Sequence, residues 1–178
     1  MHRAWSALAG FAGLALVCFV LMTVWTKPTI TVGAKDAPMF DLRVDGYDYE
    51  AAKTYLADLK EPARRLYLGP QRVLDTLFPI GLAGGLALAI YLGLRRNFGR
   101  WALVGALLPC AYFYADMLEN AAVGGMLRSP ILTPEDVELA STYTVLKYQL
   151  LEASVLLLLL CIIGQIVRWS LNRFRRMQ

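Results

Sequence analysis

The sequence contains very few of the residue types that most often build reactive sites. It has one histidine, His2, and three cysteines, Cys18, Cys110 and Cys161, which lie far apart without a C-x-x-C pair. A single terminal histidine cannot supply a histidine-based zinc site, haem site or catalytic triad, and isolated cysteines do not form a dithiol redox pair. A Walker-type phosphate loop is also lacking. The motifs therefore predict no metal site and no cofactor, and they leave any catalytic residue unknown.

Apolar residues dominate instead. Of the 178 residues, 57% are hydrophobic, and the mean hydropathy of +0.47 is too high for an ordinary soluble domain. Four stretches approach the roughly 20 apolar residues that a helix needs to cross a hydrocarbon core of about 30 Å: residues 5–25, 73–94, 101–126 and 148–167. All four tryptophans lie at the ends of these stretches, as is typical of the headgroup layer. We predict an all-α membrane protein, a four-transmembrane-helix bundle that forms one domain over residues 1–178.

The basic residues indicate an orientation. The short segments on one side of the predicted membrane contain arginines and no acidic residue: Arg3, Arg95, Arg96, Arg100, Arg168, Arg173, Arg175 and Arg176. Because Lys and Arg are enriched in cytoplasmic loops, we predict a multi-pass protein of the bacterial inner membrane with both termini in the cytoplasm. This asymmetry also accounts for the pI near 9.0, so nucleic acid is not an expected partner.

Residues 26–72 are predicted to form a small extracytoplasmic cap of α(+β) type between the first two helices. The β-branched "TITV" and the alternating "MFDLRV" are typical of short strands, and two short helices follow. Tyr55, Leu56 and Leu59 give the first of these helices an apolar stripe. An amphipathic helix that lies on the lipid surface is the alternative.

Local signals predict where several helices begin and end. Asp48 is a candidate N-cap, Pro62 suits the first turn of a helix, and "TPED" at residues 133–136 combines an N-cap threonine with an acid three residues later. The last signal predicts that the fourth helix begins well before its apolar stretch. Gly69 and Pro70 are expected to interrupt the chain before the second span.

Glycine spacing predicts close helix packing. Gly81 and Gly85 form a G-x-x-x-G pair in the second span, and Ser6, Gly10 and Gly13 lie in the first. Small residues let membrane helices approach closely. We expect these faces to pack helices one and two together rather than to form a dimer interface.

Ionisable residues occur where the chain is otherwise apolar. Asp116, Glu119 and Asn120 are spaced i, i+3 and i+4 and therefore share one helix face. At about 1.5 Å per residue, Asp116 lies roughly 24 Å and Asn120 roughly 30 Å from Arg100 along its helix. The same count gives roughly 30 Å for Asp75 from Arg95, and roughly 31 Å for Lys147 and 24 Å for Glu152 from Arg168. These six residues are thus expected at one depth, near the outer edge of the membrane, as a candidate ligand-binding site.

Three motifs carry a resemblance to a known family. They are "DTLFP" at residues 75–79, "DMLEN" at residues 116–120 and "TVLK" at residues 144–147, preceded by "DLRVDGYDYEAA" and "RRLYL". With them, most of the chain after helix one resembles an uncharacterised bacterial family of four-helix integral membrane proteins. The resemblance implies that Asp75, Asp116, Glu119, Asn120 and Lys147 form one unit. It implies no activity.

Three interpretations of this unit remain open. The first is an ionic and hydrogen-bonded network that only fixes helix packing, in a membrane scaffold or in an accessory subunit of another membrane protein. The second is an outward-facing site that binds a cation, an amine or a lipid headgroup, since four acids face one lysine. The third is an enzyme that acts on a lipid or lipid-linked substrate at the outer leaflet. The predicted partners are the lipid bilayer and, in a homo-oligomer, further copies of the same chain.

Overall fold

A computed structural model describes residues 2–175, which are helical along most of their length. Within this described range the α-helices are α1 (His2–Leu21), α2 (Lys27–Gly33), α3 (Tyr49–Asp58), α4 (Glu61–Leu66), α5 (Arg72–Phe98), α6 (Ala102–Arg128) and α7 (Pro134–Arg175). Short π-helical turns at Met22–Thr26 and Tyr67–Gln71 and 3-10 turns at Phe40–Leu42 and Gly99–Trp101 join some of them. Arg176, one of the basic residues used above to predict orientation, lies outside the described residues.

In the part of the chain that the structure describes, three helical segments are long and apolar enough to cross a membrane: His2–Gly33, Glu61–Arg128 and Pro134–Arg173. The middle segment of 68 residues contains both α5 and α6. It folds back at Gly99, where φ is +55° and only glycine is unstrained, and α5 then packs along α6. Large apolar side chains remain exposed on the outer faces of these helices, as expected for contact with lipid: Leu16, Val17, Leu107, Leu156, Leu160 and Ile163.

The predicted strands are wrong, because no strand occurs among residues 2–175. "TITV" belongs to α2, which continues α1 through a π-helical turn. Extending a helix that already exists adds a hydrogen bond per residue without a new nucleation step, and this outweighs the mild helix aversion of β-branched residues. "MFDLRV" includes the 3-10 turn at Phe40–Leu42 and pairs with no strand in the described chain.

The predicted interruption at Gly69 and Pro70 is also wrong. The chain stays helical from α4 into α5 through the π-helical turn at Tyr67–Gln71. The wider turn accommodates the missing N–H and the ring of Pro70, which would clash in a regular α-helix. The continuous helical segment that contains the predicted second span therefore begins at Glu61, while α5 itself begins at Arg72, next to the predicted residue 73.

The predicted helix starts are confirmed by their hydrogen bonds. Asp48 Oδ1 accepts from the backbone N of Ala51 at 2.8 Å at the start of α3. Thr133 Oγ1 accepts from the backbone N of Asp136 at 3.2 Å and donates to Asp136 Oδ2 at 2.8 Å, so α7 begins at Pro134 as "TPED" indicates. Pro62 occupies the first turn of α4.

The segment at residues 34–60 packs on the helices rather than extending away from them. The stripe of α3 is buried, with Tyr55 1% and Leu59 5% exposed. It forms one apolar core with the ends of α6 and α7 and with α2 and α4; members from those helices include Ile30, Ala63, Val123, Leu127 and Val137. We call residues 34–60 the connecting segment.

Glycine allows α5 to lie directly against α1. A Cβ atom at Gly81 would come within 2.7 Å of the backbone N of Ala15 and 2.9 Å of the backbone O of Phe11. Gly85 makes only an ordinary contact with Phe11, and Gly10 and Gly13 have open space around them. Of the predicted glycine faces, Gly81 is therefore the position at which the two backbones meet.

Candidate functional site

Lys147 on α7 is the centre of a buried ion-pair cluster. Its ammonium forms an ion pair with Glu119 Oε2 and lies 3.5 Å from Asp116 Oδ1, both on α6. Thr144, one turn before Lys147, donates from Oγ1 to Glu119 Oε1 at 2.5 Å. The side chains of Lys147, Glu119 and Asp116 are 9%, 1% and 10% exposed, so these charges compensate each other with little help from water.

Asn120 connects α6 to α5. Its Nδ2 donates to Asp116 Oδ2 at 3.0 Å and to the backbone O of Asp75 at 3.2 Å. Arg72 on α5 in turn donates from Nη1 to the backbone O of Asn120 at 2.6 Å. The amide thus holds the Asp116 carboxylate in place while it fixes the distance between the two helices.

Asp75 has a different environment. Gln71 Nε2 donates to Asp75 Oδ2 at 2.7 Å, and Thr26 Oγ1 donates to Gln71 Oε1. Gln71 and Thr26 are fully buried, so this chain of hydrogen bonds joins the first helical segment to α5. Within residues 2–175 no lysine or arginine forms an ion pair with Asp75.

The connecting segment contributes a carboxylate that the sequence did not predict. Asp41 Oδ1 accepts from Tyr67 OH at 3.0 Å, and its backbone O accepts from Tyr148 OH at 2.9 Å. The residue is 8% exposed and, like Asp75, has no ion-pair partner in the described part of the chain. An acid inside the otherwise apolar "MFDL" was the available signal, but the strand assignment hid it.

These carboxylates line a cavity of about 290 Å³. One part of its wall is polar and includes Lys27, Asp41, Asp75, Asp116, Lys147 and Tyr148. The other part is apolar and includes Phe19, Met22, Phe78, Leu82 and Leu151. The lining, formed entirely from described residues, includes no serine, cysteine or histidine; its polar side chains are carboxylates, lysines and tyrosines.

The structure brings five of the six predicted site residues together. Asp75, Asp116, Glu119, Asn120 and Lys147 form the connected network described above, whereas Glu152 is exposed and does not line the cavity. Glu152 follows Lys147 by five positions, and about 100° per residue turns it by about 500°, onto another face of α7. The depth count gives a height along the helix relative to the arginines but carries no information on the direction in which a side chain points.

Two further findings concern metal binding and similarity to known proteins. No group of three or more His, Cys, Asp or Glu residues among those described is arranged to hold a metal ion. Comparisons with protein-family models, with curated proteins and with solved structures gave no match.

Proposed function

We propose that the protein is a four-helix bundle of the bacterial inner membrane, with an outward-facing site and both termini in the cytoplasm. The four crossings would be α1, α5, α6 and α7. α5 and α6 have 27 residues each, or about 40 Å at 1.5 Å per residue, which is enough to span a membrane. The arginines at one end of these helices support the cytoplasmic assignment of that end. The connecting segment would then form an extracytoplasmic cap.

The proposed activity is the binding of a ligand that carries an ammonium group and an apolar part. The observation that supports it most is the charge of the cavity wall, where three carboxylates face two lysines. Asp75 and Asp41 accept hydrogen bonds but form no ion pair within residues 2–175. Carboxylates in a low-dielectric site attract a cation much more strongly than they do in water. The apolar wall would hold the rest of such a ligand.

An amine or an amine-bearing lipid headgroup fits this wall better than a metal ion. Ca²⁺ takes six to eight oxygen ligands and Mg²⁺ requires near-octahedral geometry. The described acids do not converge in that way. An ammonium group needs only hydrogen-bond acceptors on one side, which Asp75 and Asp41 would provide.

A second role, the fixing of helix packing, is favoured for one part of the network. Lys147 is compensated by Glu119 and Asp116, and Glu119 also accepts from Thr144. This part needs no ligand, and removing a partner would leave an uncompensated buried charge. The packing role of Lys147 and the binding role of Asp75 are compatible, because they involve different faces of the network.

Native mass spectrometry with metal analysis tests the proposal on protein purified in mild detergent. We expect a bound molecule that contains an amine in the wild type and its loss in Asp75→Asn, with the unfolding temperature nearly unchanged. Glu152→Gln, which removes an exposed carboxylate outside the cavity, is the control and should retain the molecule. If the wild type instead carries a metal ion that is lost in Asp75→Asn, the ligand of this site would be a metal ion rather than an amine. Protein without any bound molecule or ion, and without binding of added amines, would contradict it.

A further inference from the structure

A second, larger cavity lies between α5 and α7 at the ends farthest from Asp116. Its volume is about 470 Å³, within the range of small-molecule sites. Its polar lining residues are Arg96, Asn97, Gln165, Arg168, Trp169 and Asn172. Leu92, Leu157 and Leu160 contribute to the apolar part, nearer the middle of the helices. The cavity thus has a basic end and a hydrocarbon end.

Glycines shape this cavity. A Cβ atom at Gly93 would lie 3.0 Å from Cys161 Cβ and 3.3 Å from Gln165 Nε2, so α5 and α7 touch there. Gly164, which also lines the cavity, has no atom within 4 Å of the position of a Cβ. The helices therefore meet at Gly93 and leave open volume beside Gly164.

The charge at the polar end has one sign. Arg96 and Arg168 line the cavity, and residues 95–101 and 164–175 contain no acid. Arg168 donates from Nη1 to Asn97 Oδ1, which joins α7 to α5 and holds the guanidinium at the cavity. Because a guanidinium has five N–H donors, Arg168 retains donors for an anion. In the described chain no acidic side chain is paired with either arginine.

We propose that this cavity binds an anionic phospholipid, with its phosphate at Arg96 and Arg168 and an acyl chain along Leu92, Leu157 and Leu160. Guanidinium groups form paired, charge-assisted hydrogen bonds to phosphate oxygens. A headgroup with its own ammonium would bring that charge next to two arginines, so phosphatidylglycerol is favoured over phosphatidylcholine. This site is separate from the carboxylate cavity and does not depend on the function proposed for it.

Native mass spectrometry of the full chain with added lipids of identical acyl chains tests the proposal. We expect phosphatidylglycerol to bind the wild type more tightly than phosphatidylcholine, and the double variant Arg96→Gln/Arg168→Gln to bind it at least about tenfold more weakly. Gly164→Leu should have a similar effect, because it fills the cavity while every arginine is kept. Arg100→Gln removes an exposed arginine that does not line the cavity, and Gly10→Leu adds the same bulk at a glycine with open space. Both controls should bind like the wild type.

Three results would overturn the proposal. One is equal binding of the two lipids by the wild type. Another is unchanged binding of phosphatidylglycerol by a folded Gly164→Leu or Arg96→Gln/Arg168→Gln protein. The third is full displacement of the lipid by inorganic phosphate, which would identify a site for free phosphate rather than for a phospholipid. Each substitution tests the proposal by itself. Arg96→Gln/Arg168→Gln leaves the cavity open, and Gly164→Leu leaves the charge of the cavity intact.

Discussion

Lys147 on α7 and Glu119 on α6 form an ion pair in which the two side chains are only 9% and 1% exposed. Asp116, the second acid at Lys147, also faces the cavity. The ammonium is thereby satisfied inside the protein, while Asp75 and Asp41 have no such partner among the described residues. One part of the network is therefore compensated inside the protein, and the other part is where we propose that a ligand binds.

Replacement of Lys147 by methionine should destabilise the protein strongly. The substitution keeps most of the volume but leaves Glu119 and Asp116 as buried acids without a cation. Removal of one partner of a buried ion pair typically lowers the free energy of unfolding by about 3 to 5 kcal/mol. Thermal unfolding in mild detergent measures this as a lower unfolding temperature.

Two controls distinguish this effect from a general sensitivity to lysine loss. Lys35→Met removes an ion pair with Asp58 in which the lysine is 70% exposed, and such pairs contribute about 0 to 1 kcal/mol. The double variant Lys147→Met/Glu119→Gln should recover part of the lost stability, because one buried charge is removed with its partner. A Lys147→Met protein as stable as Lys35→Met would contradict the packing role.

Gly81→Ala should loosen the contact between α1 and α5. The added methyl group would lie 2.7 Å and 2.9 Å from backbone atoms of Ala15 and Phe11, which cannot rotate away. Overpacking of this kind costs about 1 to 3 kcal/mol. Gly13→Ala adds the same group in open space and should be neutral or stabilising. Unfolding temperatures that fall equally for both variants would contradict a close approach of the α1 and α5 backbones at Gly81.

Alkaline pH should destabilise the connecting segment through Tyr55. Burial, together with the carboxylate of Asp41, raises the pKa of Tyr55 above its ordinary value. The folded state then favours the neutral phenol, so this stabilisation is present below about pH 10 and is lost as the pH rises further.

Tyr55→Phe should make that alkaline loss smaller. At neutral pH the substitution should change stability little, because the Tyr55 hydroxyl has no hydrogen-bond partner in residues 2–175. Unfolding temperatures of both proteins measured across about pH 8 to about pH 11 give the comparison. An identical alkaline loss in wild type and Tyr55→Phe would contradict this account.

The proposed orientation predicts which positions an impermeant thiol reagent can reach in intact cells. Ala57→Cys, at an exposed position of α3, should be labelled from outside, and Arg100→Cys, at the turn between α5 and α6, should not. Both are introduced into a protein whose three cysteines are replaced by alanine. Labelling of Arg100→Cys before cell lysis, with Ala57→Cys protected, would reverse the orientation.

Helical periodicity was sufficient to predict much of the site. The spacing of Asp116, Glu119 and Asn120 fixed their common face, and depth counting placed Asp75 and Lys147 beside them. Such arguments succeed because a long apolar helix has few choices of conformation. Depth alone did not fix direction around the helix axis, so Glu152 was included although it points elsewhere.

Asp41 could not be predicted in the same way. Its place in the cavity depends on contacts with Tyr67 and Tyr148, which are far from it in the sequence. The strand assignment at residues 29–32 failed for a different reason, since local β-propensity there is outweighed by continuation of the preceding helix. Contacts distant in sequence thus place Asp41, whereas the neighbouring helix decides the conformation of residues 29–32.

The most direct test of the carboxylate cavity compares the binding of dodecylammonium and dodecanol, which differ mainly in charge, to detergent-purified protein. We predict that the wild type binds the ammonium compound at least about tenfold more tightly than the alcohol. Asp75→Asn should lose most of this preference, while Glu152→Gln should keep it. Equal binding of the two compounds by the wild type, or the same loss of preference in Asp75→Asn and Glu152→Gln, would contradict the proposal that the cavity carboxylates bind a cationic ligand.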